Sequence, residues 1–153
     1  MHNPNKRSRV KMIGWVALAI TAVVVFSILI RIDDWSRDWT TNFAVLDDAA
    51  ADTRLRPVHL STSPRVVSEQ LQQWAEQTPR WNVESAETTD TSAQLHLTRT
   101  TPLWRFTDDV RVELSVRDGE TILNAESRSR VGKGDLGQNP RNLRTLVEAV
   151  TGQ

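Results

Sequence analysis

Residues 110–130 read VRVELSVRDGETILNAESRSR, and this stretch decides the fold. Val110, Val112, Leu114 and Val116 alternate with Arg111, Glu113, Ser115 and Arg117. A period of two marks a strand with one buried and one wet face. Asp118-Gly119 is a favoured pair for a two-residue type I′ turn. A second strand, from about Glu120 to Val131, must therefore return antiparallel. The turn sets the register: Arg117 falls opposite Glu120, Leu114 opposite Leu123, Val112 opposite Ala125, Arg111 opposite Glu126 and Asp109 opposite Arg128. Three of these pairs join opposite charges, each worth about 0.2–1 kcal/mol, which supports the register that places them together.

Outward from this hairpin the pattern stays legible. Leu95 and Leu97 alternate with Gln94, His96 and Thr98, and Trp81 and Val83 with Asn82 and Glu84, which predicts two more strands. Ser63-Pro64 places an N-cap before a proline at the first helical position. Val67, Leu71, Trp74 and Ala75 then form one helical stripe, which Thr78-Pro79 closes. At the other end Asn139 is the expected N-cap and Pro140 the first helical residue. Leu143, Leu146, Val147 and Val150 make the stripe, and Gly152 the stop. The expected fold is α+β: a two-layer sandwich, with an antiparallel sheet of about four strands and two helices on one face.

Residues 12–30 read MIGWVALAITAVVVFSILI, about 19 residues without a charge, long enough as a helix to span a hydrocarbon core of about 30 Å. The run exceeds the 7–15 residues of a signal-peptide core, and FSILIRIDDW offers no small-x-small cleavage site. The reading is an uncleaved transmembrane helix over 12–32 that holds the protein to the bilayer. Lys6, Arg7, Arg9 and Lys11 precede it with no acidic residue among them, so residues 1–11 are expected in the cytoplasm and the C-terminal domain outside it, on a cytoplasmic (inner) membrane. Trp15, Trp35 and Trp39 suit either interfacial anchoring or, for the last two, packing on the domain. Residues 33–62 read as a tether with a short helix around Asp47–Asp52, and residues 63–153 as the folded domain.

Every Asp and Glu lies after Arg31, so the exported part is mildly acidic, which argues against a nucleic-acid partner. The chain has no cysteine, hence no disulfide or thiol chemistry. His2, His59 and His96 are too scattered for a zinc site, and no metal or cofactor is expected.

The stretch Phe106-Thr-Asp-Asp-Val-Arg-Val112, followed by Ser127-Arg-Ser-Arg-Val-Gly-Lys-Gly-Asp-Leu-Gly-Gln-Asn-Pro-Arg141, resembles the DUF1499 family of mostly uncharacterised bacterial and plastid proteins. Asp108, Asp109, Arg128, Ser129, Arg130, Gly132, Asp135, Gly137 and Asn139 occupy that family's pattern, and Trp39-Thr-Thr-Asn42 is similar to one subset of it. The resemblance covers roughly residues 39–150. Many relatives carry a Cys-Pro-x-x-Pro-Asn-Cys stretch where this chain has Ser61-Thr-Ser-Pro64, so it implies no redox role here. It implies no reaction either.

The candidate binding or structural residues are Asp108, Asp109, Arg111, Arg128, Ser129, Arg130, Asp135 and Asn139. Asp108 and Asp109 are neighbours on a strand and point to opposite faces, so they do not share a ligand shell easily. Asp108 falls on the inner face near Ser127 and Ser129, where it either caps the 132–137 glycine loop or marks a small polar pocket under the last helix. Asp109 is expected to pair with Arg128. Arg111, Arg128 and Arg130 share the outer face, as an ion-pair ladder or as an anion site. His96 faces outward and Asp108 inward, which argues against a hydrolytic triad. Gly132-Lys133-Gly134-Asp135 lacks Walker spacing and reads as a turn needing positive φ, with Asp135 bonded to amides at the helix start.

The expected function is non-enzymatic: a binding or envelope-assembly module with a protein partner in or near the membrane. A second reading is a carrier or sensor of an apolar or amphiphilic small molecule, with Trp74, Trp81 and Trp104 lining a cavity. A third is an unrecognised hydrolase using Asp108 and the serine-rich strand.

Overall fold

The computed structural model describes residues 4–30, 38–102 and 104–152, without the side chains of residues 4–10 and 28. The expectations for Trp35 and for the end of the apolar span at residue 32 lie outside the described residues, as do those for the side chains of Lys6, Arg7 and Arg9. In chain order the elements are α1 (Pro4–Leu29), β1 (Phe43–Val45), a 3-10 turn (Thr53–Leu55), β2 (Val58–Leu60), α2 (Pro64–Gln77), β3 (Trp81–Thr88), β4 (Ser92–Thr100), β5 (Thr107–Arg117), β6 (Glu120–Ser129) and α3 (Gln138–Thr151).

The hairpin is as its residues dictate. β5 and β6 pair Arg117 with Glu120, Leu114 with Leu123, Arg111 with Glu126 and Asp109 with Arg128. Asp118 and Gly119 both have positive φ, 53° and 85°, the backbone a type I′ turn needs. β4 adds to β5 with Leu97 opposite Val110, and β3 adds to β4 with a bulge between Val83 and Ser85. Leu95, Leu97, Val110, Val112, Leu114 and Leu123 point inward and are buried beneath Val67 and Leu71 of α2 and Leu143 and Leu146 of α3. Both helices lie on this face, which gives the two-layer α+β sandwich.

The sheet has six strands rather than about four. The segment that reads as a tether supplies the other two: β1 and β2 both pair antiparallel with β6, against residues 126–128 and 121–123. Three-residue strands carry no readable period, and they are held by β6, whose far edge would otherwise be open. Nor is there a helix around Asp47–Asp52; Asp52 instead caps the 3-10 turn, its carboxylate accepting from the Arg54 amide at 3.0 Å. The last helix starts two residues before the expected position, with Gly137 as its N-cap at φ 74°. Asp135 caps from outside the helix, accepting from the Gly137 and Asn139 amides at 2.8 and 2.9 Å, and so frees the Asn139 side chain for the interior.

Among the described residues no helix is long and apolar enough to cross a membrane. The side chains of residues 11–27 of α1 are exposed. Those apolar side chains are exposed on every side: Val23, Val24, Val25 and Phe26 follow one another and all are open.

The 132–137 loop lies on the chain that enters the domain. A Cβ on Gly134 would meet the Trp39 carbonyl oxygen at 2.3 Å and the Asp38 carbonyl oxygen at 2.7 Å, both backbone. Gly134→Ala is therefore expected to destabilise the protein by about 1–3 kcal/mol, as overpacking does. Gly14→Ala, which meets nothing within 4 Å, is the control in the same urea titration. Equal midpoints for the two variants would refute the close approach.

Candidate functional site

Two polar clusters occupy opposite faces of the sheet, separated by the thickness of β5. The inner one begins at Asp108, which is 1 % exposed. Its Oδ2 accepts from the Asn142 Nδ2 of α3 at 3.0 Å, and the same nitrogen donates to the Ser127 hydroxyl at 3.1 Å. Ser127 donates in turn to the Asn139 Oδ1 at 2.6 Å. Asn139 Nδ2 donates to the Ser129 hydroxyl at 3.0 Å and to the Asn42 carbonyl at 2.8 Å. Arg99, opposite Asp108 in the β4–β5 ladder, donates to the Asn142 Oδ1 at 2.9 Å. Burial pushes the Arg99 pKa down, and the Asp108 charge opposes that shift. Arg99 Nε is the buried side-chain nitrogen left without a partner among the described residues.

Asp108 thus faces inward as its register requires, and the polar pocket under the last helix exists, filled by amide and hydroxyl groups. The alternative role, capping the glycine loop, falls to Asp135, whose pKa is raised by burial and held back by the amides it accepts from. The loop has the positive φ expected of it at Gly132, Leu136 and Gly137.

The outer cluster centres on Asp109. Arg130 forks onto its carboxylate with Nε at 2.9 Å and Nη2 at 2.7 Å. His96 Nε2 lies 2.7 Å from its Oδ1. Arg128, the expected partner, stands opposite Asp109 in the ladder, but its guanidinium lies over the Phe43 ring, 4.9 Å from the centroid. Phe43 of β1 is its direct neighbour on the other side, and a ring face attracts a guanidinium; Arg130 takes the vacated carboxylate. The Arg130 hydrogen bond, then His96, holds the Asp109 carboxyl down at about 2. Arg111 pairs with Glu126 at 3.0 Å as expected, whereas Glu120 turns to His59 at 3.2 Å. His96 meets Asp109 and not Asp108, so the two halves of a His–Asp relay with Asp108 are on different faces.

Beside this cluster the outer face is a concave groove of about 620 Å³, whose floor and walls include Glu87, Gln94, His96, Arg111, Glu113 and Glu126. The tryptophans lie elsewhere. Trp74 of α2 and Trp81 of β3 pack ring to ring at 4.7 Å, and Trp104 is exposed. Among the described residues, no cluster of three or more His, Asp or Glu side chains could hold a metal ion.

Sequence reasoning missed Arg99, Asn142, the Asn42 carbonyl and Gln138, whose Nε2 donates to the Asn142 Oδ1 at 2.7 Å. The signal was present for two of them. Arg99 continues the inward phase of Ala93, Leu95 and Leu97, and Asn142 lies three residues after Asn139 on the face that carries Leu143 and Leu146.

The fold and its two clusters define an α+β domain with a polar interior seam under its last helix and an open, charged sheet face. A family model described as a protein of unknown function, DUF1499, matches residues 34–150, and the chain belongs to that family. No curated protein and no solved structure matches it.

Asn142→Leu keeps the branching and heavy-atom count and leaves the Asp108 and Arg99 groups buried without their amide, so a loss of about 3 kcal/mol is expected, read by chemical denaturation. A loss below the scatter of surface substitutions would mean that the seam does not hold α3. On the outer face, the folded-state pKa of Asp109 is depressed from 3.8 to about 2. Its contribution is present above pH 4 and lost as pH falls through 2. The stability difference between the protein and Arg130→Gln is therefore expected to be largest near neutral pH and to shrink below pH 4. A difference independent of pH would refute this.

Proposed function

We propose that this protein is a membrane-anchored binding module, non-enzymatic, with its domain outside the cytoplasmic membrane and its recognition surface on the concave outer face of the sheet. The single observation that carries the reading is that both helices cover one face while the other keeps an open groove of about 620 Å³. Six-stranded sheets usually leave a face bare only where it is polar, and this one is. It is also shaped, and the Arg111–Glu126 ion pair and the contact of His96 with Asp109 hold lining residues in place.

Anchoring is supported by the uncharged run 12–30, by the α-helix that contains it from Pro4 to Leu29, and by apolar side chains exposed all round that helix. Near its end the Ser27 hydroxyl donates to the Val23 carbonyl at 2.7 Å, which suits a helix in lipid. The basic residues Lys6 to Lys11 favour a cytoplasmic N-terminus. Support for a non-enzymatic role comes from the engagement of the reactive groups: the Arg130 fork closes Asp109, and amides close Asp108. The occupant of the groove is taken to be an envelope protein rather than a small molecule, because the lining mixes charged Glu87, Arg111, Glu113 and Glu126 with apolar Val45 and Leu46, as a protein surface does, and no tryptophan lines it.

A photo-crosslinking residue in place of Gln94, inside the groove, is expected to give one discrete polypeptide adduct in the protein's own cells, and the same residue in place of Asp90, in the β3–β4 turn, none. No adduct from position 94, or the same adducts from both, would overturn the proposal. A small-molecule mass retained in native mass spectrometry, without a polypeptide adduct, would transfer the groove to the carrier reading.

A further inference from the structure

The domain is polar from end to end along its strands. At one end lie the β4–β5 loop, the start of β1, the exit from β6 and the 132–137 loop. Backbone bonds gather them: Thr101 N to Phe106 O at 2.8 Å, Ser129 N to Asn42 O at 2.9 Å, Arg130 N to Thr107 O at 3.1 Å and Leu136 N to Asp38 O at 3.0 Å. This end carries four open aromatic rings, Trp39 at 53 % exposed, Phe43 at 42 %, Trp104 at 71 % and Phe106 at 44 %. Around them stand exposed Arg105, Arg128 and Lys133. Apart from Glu84, exposed on β3, the acidic groups of this end are withdrawn. Asp38 and Asp108 are buried, Asp135 is bonded to amides, and Asp109 is held by Arg130. The opposite end carries exposed Asp47, Asp48, Asp90, Asp118 and Glu120, only partly offset by Arg65, Arg117 and His59.

From this we infer that the aromatic and basic end is a docking surface for the anionic lipid surface of the bilayer, so that the domain rests on the membrane instead of floating above it. The inference rests on the anchored reading, which supplies the bilayer. The chain from Ile30 to Asp38 reaches at most about 30 Å when fully extended, and it enters the domain at this end, beside Gly134. The surface is thus held within reach of the headgroups at high effective concentration. Tryptophan and phenylalanine rings flanked by arginine and lysine are the side chains that partition into a headgroup layer. A cationic rim with its carboxylates withdrawn complements anionic lipid. Docked this way, the acidic end points away from the bilayer, and the sheet, with its outer groove, stands upright and accessible from the side.

Because the chain has no cysteine, a single introduced thiol labels one site. Pro102→Cys places a fluorophore beside Trp104 without removing an aromatic or a charge, and Thr91→Cys places one at the acidic end. The full-length protein is reconstituted into phosphatidylcholine vesicles with roughly one-quarter phosphatidylglycerol, and nitroxide-bearing lipid is added as quencher. The expected result is roughly twofold quenching at position 102 and none at 91. Quenching at 102 should weaken in pure phosphatidylcholine, at high salt, and in Arg105→Glu/Lys133→Glu. Equal, negligible quenching at both positions in anionic vesicles overturns the inference. Shielding at 102 in native membranes but not in protein-free vesicles also overturns it, and assigns the end to a protein partner. Alkaline carbonate extraction reads the anchor separately. Protein that stays with the membrane while position 102 remains unquenched keeps the anchor and loses the docking, whereas release by carbonate loses the anchor itself.

Discussion

A carboxyl group sealed in an apolar interior must be given hydrogen-bond donors there, because leaving it bare costs several kcal/mol. Asp108 imposes that constraint on this fold, and the arrangement of the domain's C-terminal half and of its entry segment can be traced to it. Its donor is Asn142, so α3 must lie across β5 and β6 with that face down. Asn142 also serves Arg99 and Ser127, which ties β4 and β6 to the same helix. Asn139, one turn earlier, takes up Ser127 and Ser129 and reaches the Asn42 carbonyl. The segment leading into β1 is thereby bonded to a helix almost a hundred residues later in the chain.

Such a seam trades some stability for definition. Replacing the whole seam by apolar groups of similar shape is often neutral in energy, but a helix lying on leucines alone can rotate or slide with little penalty. Amide and hydroxyl partners accept only one setting. That setting also fixes the glycine loop over Asp38 and Trp39, and so determines how the end bearing the open aromatic rings is put together.

Much of this was legible in the amino-acid order. The β5–β6 register follows from one Asp-Gly pair and a period of two, and both terminal stretches of regular helix follow from proline and leucine spacing. Asp108 could be placed inside, and His96 and Asp109 outside, from phase alone. What escaped was of two physical kinds. β1 and β2 are three residues each, too short for a period, and exist because β6 offers them an edge. Arg128 and Arg130 are both within reach of Asp109, and which one closes on it depends on Phe43, a residue brought alongside only by β1. Phase says which face a side chain is on; competition among neighbours on that face is settled by strands far away in sequence.

β6 has a further consequence, for the order in which the chain can assemble. It is the shared neighbour of β1, β2 and β5, yet it is synthesised long after the first two. The Asn42–Asn139 bond closes a loop of 97 residues, and closing so large a loop is entropically repaid only once its contacts are all available. The β3–β6 meander, built from hairpins between adjacent strands, can form by itself; β1 and β2 have nothing to pair with until it has. The segment made first in this domain is therefore the last to find its place, and until then it remains an open ribbon next to the N-terminal helix.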